Sequence, residues 1–178
     1  MATPPDFTTG AILTAAQMNA VGLWLVKTQV VGTGVSSVTV TGAFSADYDN
    51  YRITYTGGIT SGGVIQMTIG AANTQYYASL IYASSLGSTA LANVPDNNAA
   101  QFSFAGFGNA NFAMVRTELT GPFLTTRTTM AADYISDNNF GHVTGVLNDA
   151  TSHTSFKFTP AGGGTMTGGI IRVYGYRN

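Results

Sequence analysis

Cysteine is absent from this 178-residue chain, and charge is scarce: seven Lys and Arg with eight Asp and Glu make up 8% of the residues, against about 25% in an ordinary soluble domain. The first absence excludes disulfides and thiolate metal sites as sources of stability. The second argues against a nucleic-acid partner. The basic residues are scattered from Lys27 to Arg177 without a run, and the formal net charge is -1, so nothing neutralises a phosphate backbone. No apolar stretch is long enough to cross a bilayer, so no membrane insertion is expected. Residues 1–6 lack a basic region followed by an apolar one, so no secretory signal is expected. Gly162-Gly163-Gly164 lacks the following Lys and helix of a phosphate-binding loop.

What the chain has instead is 22 glycines, nine tyrosines and ten phenylalanines, with abundant Ser, Thr and Asn. Such a neutral surface, rich in hydroxyls and amides, suits burial in a larger assembly, because low charge removes the usual protection against association. It also suits a solvent face that binds hydrogen-bonding ligands such as glycans. The length allows one sizeable β domain with a short extension.

From residue 32 onward, alternating segments follow one another with turn residues between them. Val38 and Val40 alternate with Thr39 and Thr41. Tyr51, Ile53 and Tyr55 alternate with Arg52, Thr54 and Thr56, after which Gly57-Gly58 is expected to turn the chain. Ile65, Met67 and Ile69 alternate with Gln66 and Thr68. Residues 76–82, 102–104, 114–119, 125–134 and 140–147 read as further strands, and Phe156-Lys157-Phe158 and residues 170–176 as the last two, joined by a glycine loop. About nine or ten strands suffice for two sheets, so residues 32–178 are expected to form an all-β, antiparallel, jelly-roll-like β-sandwich. The polar stretch 83–100 is the longest candidate loop. Long loops on rigid β scaffolds carry recognition, which makes Ser88, Asn93, Asp96, Asn97 and Asn98 candidate contact residues.

Residues 1–31 read as a separate N-terminal arm and helix. Pro4-Pro5 keeps residues 1–12 extended. Thr14 and Gln17 fit a capping box, and Leu13 and Met18 a hydrophobic staple, so a helix is expected from Thr14 to about Val26. Its polar face holds only Gln17 and Asn19, and no charge lies between Asp6 and Lys27. Such a helix needs cover over most of its circumference. It packs on its own β domain, or copies of it pack together or plug into a neighbouring protein. Too short for a stable coiled coil alone, it anchors only with a partner. Leu13, Met18, Val21, Trp24 and Leu25 are the candidate anchoring or oligomer contacts.

Catalytic chemistry finds little support. The acids are Asp6, Asp47, Asp49, Asp96, Glu118, Asp133, Asp137 and Asp149, so a two-carboxylate glycosidase site is arithmetically available. Most of them, however, sit in turns or at strand ends, where Asp makes local backbone hydrogen bonds. His142 and His153 lie on or near adjacent expected strands and would face one another in a hairpin, but their spacing matches no compact metal motif. No catalytic, cofactor or metal residue is assigned. Arg172, Tyr174 and Tyr176 share one face of the last strand, a pattern that stacks sugars or, more simply, packs across strands.

Two segments carry a family resemblance: the ending Gly168-Gly169-Ile170-Ile171-Arg172-Val173-Tyr174-Gly175-Tyr176-Arg177-Asn178, and the run Phe44-Ser45-Ala46-Asp47-Tyr48-Asp49-Asn50-Tyr51-Arg52-Ile53. Together they resemble the C-terminal domains of minor tail and fibre-type structural proteins of tailed bacteriophages. Leu13-Thr14-Ala15-Ala16-Gln17-Met18-Asn19-Ala20 is similar to the entry segments of phage fibre proteins. The resemblance implies a non-enzymatic virion component, assembled in the host bacterial cytoplasm and attached through its N-terminal segment. It also implies self-association, with three copies expected by analogy with fibres, and contact with other virion proteins and with host surface glycan. A head decoration or head-fibre protein is the nearest alternative. A free carbohydrate-binding module or a small depolymerase comes next.

Overall fold

The computed structural model describes residues 22–84 and 88–176, together with Gly10 and Ile12, and twelve β-strands lie among them. In chain order these are β1 (Leu23–Val30), β2 (Val38–Thr41), β3 (Asn50–Thr60), β4 (Val64–Ile69), β5 (Tyr76–Ser84), β6 (Ser88–Ala99), β7 (Phe102–Gly108), β8 (Ala113–Thr120), β9 (Thr128–Ile135), β10 (Asn139–Leu147), β11 (Ser155–Pro160) and β12 (Met166–Tyr176). Every strand pairing is antiparallel.

The sheet forks at β8. One edge of β8 pairs with β3, and that ladder continues through β12 to β1. Along the other edge, Ala113, Met114 and Val115 pair with β7, whereas Thr117 to Thr120 pair with β9. The β7 branch leads on to β4, β11 and β2, and the β9 branch to β10, β5 and β6. Alternation then decides which side chains meet. Val40, Ile65, Met67, Ile69, Phe156 and Phe158 from the first branch are buried in one cluster with Tyr51, Ile53, Val115, Leu119, Met130, Ile171 and Val173. The result is an all-β, sandwich-like architecture with one core.

Three of the largest buried side chains are tyrosines, and each spends its hydroxyl on backbone, Tyr51 and Tyr76 at connections or strand ends and Tyr55 on the glycine step of β12. Tyr51 Oη donates to the Ser45 carbonyl and accepts from the Ser45 amide. Tyr76 Oη accepts from the Ile69 amide at 2.8 Å and lies within donating reach of the Ala72 carbonyl at 3.3 Å. Tyr55 Oη donates to the Gly168 carbonyl at 2.8 Å. A buried phenol without a partner would cost more than its ring contributes, so these bonds select the rotamers as well as the loops. Burial pushes the phenols of all three above their ordinary range, Tyr76 to about 12.

Four expectations are corrected. Leu23 to Val26 are not the end of a helix: they open β1, which pairs with β12 from Leu23 opposite Tyr176 to Val30 opposite Ile170. The free edge of β12 offers these residues inter-strand backbone bonds in place of intrahelical ones, with a register shift between Leu25 and Lys27. The rest of the expected helix lies outside the described residues. β1 also falls on the N-terminal side of the division at residue 31, so that boundary does not separate it from the sheet. Second, the polar stretch 83–100 is not one long loop: Ala83 and Ser84 close β5, and Ser88–Ala99 form the strand β6. β6 pairs only with β5, and at a sheet edge even Pro95 is tolerated, since its missing N–H need not face a neighbour. Third, Gly57-Gly58 does not turn the chain. β3 runs through it, and a Cβ at Gly58 would overlap the Tyr55 hydroxyl. Fourth, β10 and β11 form no hairpin, because β11 belongs to the other branch; His142 and His153 therefore do not face one another.

Tyr55→Phe should lower unfolding free energy by about 1–2 kcal/mol, because it leaves the Gly168 carbonyl without its donor while preserving the ring. A urea titration followed by fluorescence would show this as a lower midpoint at unchanged slope, whereas an unchanged midpoint would contradict the role given to the hydroxyl.

Candidate functional site

The outward face of the broad sheet, from β1 across β12, β3, β8, β9 and β10, collects the charges that look scattered in the sequence. Strand alternation sends Arg172, Tyr174 and Tyr176 outward on β12, Arg52 and Thr54 on β3, Arg116 and Glu118 on β8, Asp133 on β9 and His142 on β10. Register then lines them up: Tyr174 is opposite Arg52, Arg52 opposite Glu118, Arg172 opposite Thr54, Thr54 opposite Arg116, and Asp133 opposite His142.

Two carboxylates organise this face. Glu118 Oε1 accepts from Arg52 Nε at 2.5 Å, and its Oε2 accepts from the Tyr176 hydroxyl at 2.7 Å. The Arg52 guanidinium also lies 5.8 Å from the centre of the Tyr176 ring. The hydrogen bond to Glu118 raises the Arg52 pKa above its usual value, and burial, followed by that same carboxylate, raises the Tyr176 phenol. Asp133 sits between Arg116 Nη1 at 3.4 Å and His142 Nδ1 at 3.6 Å. Among the described residues, three guanidiniums against two carboxylates give this face one formal positive charge, in a chain whose total is -1. Two shallow depressions flank Glu118. One, of about 140 Å³, is lined by Arg116, Asp133 and His142, and the other, of about 310 Å³, by Asn50, Thr120 and Tyr176.

Chemically, the face combines paired charges, hydroxyls and aromatic surface in the open. Glu118 and Asp133 each face a guanidinium across a strand pair. Among the described residues, no group of three His, Asp or Glu side chains is close enough together to hold a metal ion.

A second concavity, an open groove of about 570 Å³, lies at the sheet's end and is lined by Gly70, Ala72, Asp149, Ser152 and His153. His153 is buried, and its Nε2 has no hydrogen-bond partner, the nearest acid being Asp149 Oδ2 at 3.6 Å. The backbone explains the burial. His153 N donates to Pro122 O at 2.9 Å and Ala43 N donates to Thr154 O at 2.8 Å, so this loop ties together the β8–β9 and β2–β3 connections. Gly70 adopts φ +55°, and a Cβ there would overlap the imidazole.

The residues singled out from sequence are not gathered at either place. Trp24 and Leu25 sit on opposite faces of β1, Leu25 outward beside Tyr174 and Trp24 opposite Gly175. Leu13, Met18 and Val21 lie outside the described residues. Asn93, Asp96, Asn97 and Asn98 lie along β6, where three of them have structural work: Asn93 Oδ1 accepts from Ser79 Oγ, the Asp96 carboxylate accepts from Ser103 N and Oγ, and Asn98 Oδ1 accepts from Thr74 Oγ1 and Gln75 N. Ser88 begins the same strand. The last strand's share of the row, Arg172, Tyr174 and Tyr176, was legible as one face; its meeting with Arg52, Arg116, Glu118, Asp133 and His142 was not, because the members span more than a hundred residues and each strand shows only one or two charges in its polar phase.

Burial depresses the His153 pKa below its ordinary 6.5, with Asp149 opposing. The fold therefore favours neutral imidazole, a contribution present in full above pH about 6.5 and lost as pH falls through that value toward the folded pKa. Wild-type stability should drop more steeply than that of His153→Asn between pH 7.5 and pH 5, measured by paired denaturant titrations; parallel curves would remove His153 from the pH dependence.

No protein-family model matches this chain, and no curated protein matches it at a significant level.

Proposed function

We propose that this chain is a structural protein of a tailed-phage virion, a tail or fibre-type component that acts by binding and assembly without turnover. In this reading the forked sheet is a jelly-roll-like sandwich, the N-terminal segment attaches it to its neighbours, and three copies associate.

One observation carries the reading. The two segments that resemble phage tail and fibre proteins are more than a hundred residues apart in sequence, yet they form one structural unit. Arg52 and Tyr51 pair with Tyr174 and Gly175 in the β3–β12 ladder. A Cβ at Gly175 would overlap the Tyr48 ring, and Tyr51 closes back on Ser45. Motifs that meet in this way serve architecture, which fits a protein whose task is to be held and to hold. β1 joins the free edge of β12 with Leu25 and Val30 exposed, so the N-terminal segment enters the sheet along an apolar edge suited to a neighbour.

A second reading, host-glycan contact, draws on the outward row of Arg, Tyr and hydroxyl side chains. The two readings are compatible: attachment would use one edge and recognition the open face.

Gold-labelled antibody electron microscopy of intact particles tests the proposal. Label on the tail supports the tail or fibre role, label on the head makes the chain a decoration or head-fibre protein, and unlabelled particles refute the virion reading. Removing residues 1–21 should abolish incorporation while leaving a cooperatively folding sheet. Removing residues 1–31 should also destabilise the sheet, because that cut takes β1 away from β12.

A further inference from the structure

We propose that the outward face of β12 binds an acidic polysaccharide, with a carboxylate of the sugar chain held by Arg172 and neighbouring rings laid over Tyr174 and into the depression beside Tyr176. The proposal deepens the host-glycan part of the reading above.

The charges on this face are not equivalent. Arg52 and Arg116 are engaged by Glu118 and Asp133. Arg172 is the one guanidinium of the row with no carboxylate partner among the described residues; its contact is the Thr56 hydroxyl, 3.5 Å from Nη1. A guanidinium presents a planar fork matched to a carboxylate, and on a half-exposed strand it keeps that fork available. The single unmatched positive charge of the face thus has an address.

From Arg172 the side chains on the same face of β12 are Tyr174 and Tyr176, at steps of about 6.6 Å along the strand. Leu25 borders Tyr174 on one side and Arg52 on the other. Tyr176 is held by Glu118 and stacked by Arg52, so its ring is already oriented, and it walls the depression shared with Asn50 and Thr120. The line reads anion site, flat ring, then a hollow lined by Asn50, Thr120, Leu119 and the Glu118 carboxylate, which is already held by Arg52 and Tyr176. Thr54, Thr56 and Thr28 border it on the neighbouring strands.

The same features argue for a polysaccharide over a nucleic acid. Phosphates follow one another closely along a nucleic-acid backbone, and its binders need several unpaired cations. Here one is free, and Glu118 and Asp133 would repel the next phosphate. A sugar chain with an occasional carboxylate among many hydroxyls meets an occasional guanidinium among many hydroxyls, with rigid aromatic surface supplied at low conformational cost.

The test uses the purified full chain and four probes: polygalacturonate methyl-esterified so that only an occasional carboxylate is free, neutral dextran, polyphosphate and single-stranded DNA, followed by calorimetry or bio-layer interferometry at low and high salt. Polygalacturonate should bind measurably and dextran at least tenfold more weakly. Arg172→Ala should weaken polygalacturonate binding tenfold or more and flatten its salt dependence, whereas Arg127→Ala, in the β8–β9 connection, should change neither. An unchanged denaturation midpoint for Arg172→Ala would show that the loss is not one of folding. Equal binding of dextran and polygalacturonate, wild-type affinity in Arg172→Ala, or tighter binding of polyphosphate or DNA would each overturn the assignment. The assay is independent of particle location: Arg172-dependent binding by a protein missing from virions would leave this inference standing and remove the virion reading alone.

Discussion

The ladder between β3 and β12 is the constraint on which the rest of the molecule depends. It is continuous from Asn50 opposite Tyr176 to Thr60 opposite Met166 save for the glycine step, and both strands are interior to the sheet, each pairing on its other edge as well. Because β12 lies more than a hundred residues beyond β3, the core closes only when that distant segment is in place. Ile171 and Val173 then complete the buried cluster begun by Tyr51, Ile53 and Tyr55. Non-local pairing of this kind carries a loop-closure cost that only cooperative burial offsets.

The glycine step in that ladder shows how shape and polarity are satisfied together. Tyr55 is too long to end within the apolar core, so its hydroxyl crosses to the Gly168 carbonyl, and the space it needs is that of absent side chains at Gly58 and Gly169. Gly57, Gly168 and Gly169 all have positive φ, a region that other residues enter only with strain. One buried phenol thus accounts for glycines on two strands that a linear reading takes for a turn and a flexible loop.

The same ladder builds the outward face. Placing β12 beside β3, and β3 beside β8, brings Tyr176, Arg52 and Glu118 into one hydrogen-bonded group and sets Arg172 across from Thr54. The inner faces of these strands are apolar and conventional, so chemical individuality is left to the outer face. The apolar edge at β1 and the polar row beyond it lie on one continuous surface, one end suited to a neighbouring protein and the other to a hydrated ligand.

Period-two alternation made much of this legible in advance. Ten of the twelve strands correspond to segments expected as strands, most clearly β2, β3, β4, β11 and β12, where Val, Ile, Tyr, Phe or Met recur inward at every second residue, because that pattern pays only when one face is buried. By itself the sequence determined the all-β class, the strand-rich organisation and the identity of most core residues. It misled at β1, where Leu23, Trp24, Leu25 and Val26 carry no period that separates a helix from a strand, and at β6, where an edge position tolerates Pro95 and polar residues that look like a loop. It was silent on partners. Which strand lies beside which, the fork at β8, the loop that buries His153, and the meeting of Arg52, Glu118, Arg172 and Tyr176 were decided only by tertiary structure. The physical reason is that register and long-range pairing are set by the summed burial of both faces of a ladder, and no local stretch of residues contains that sum.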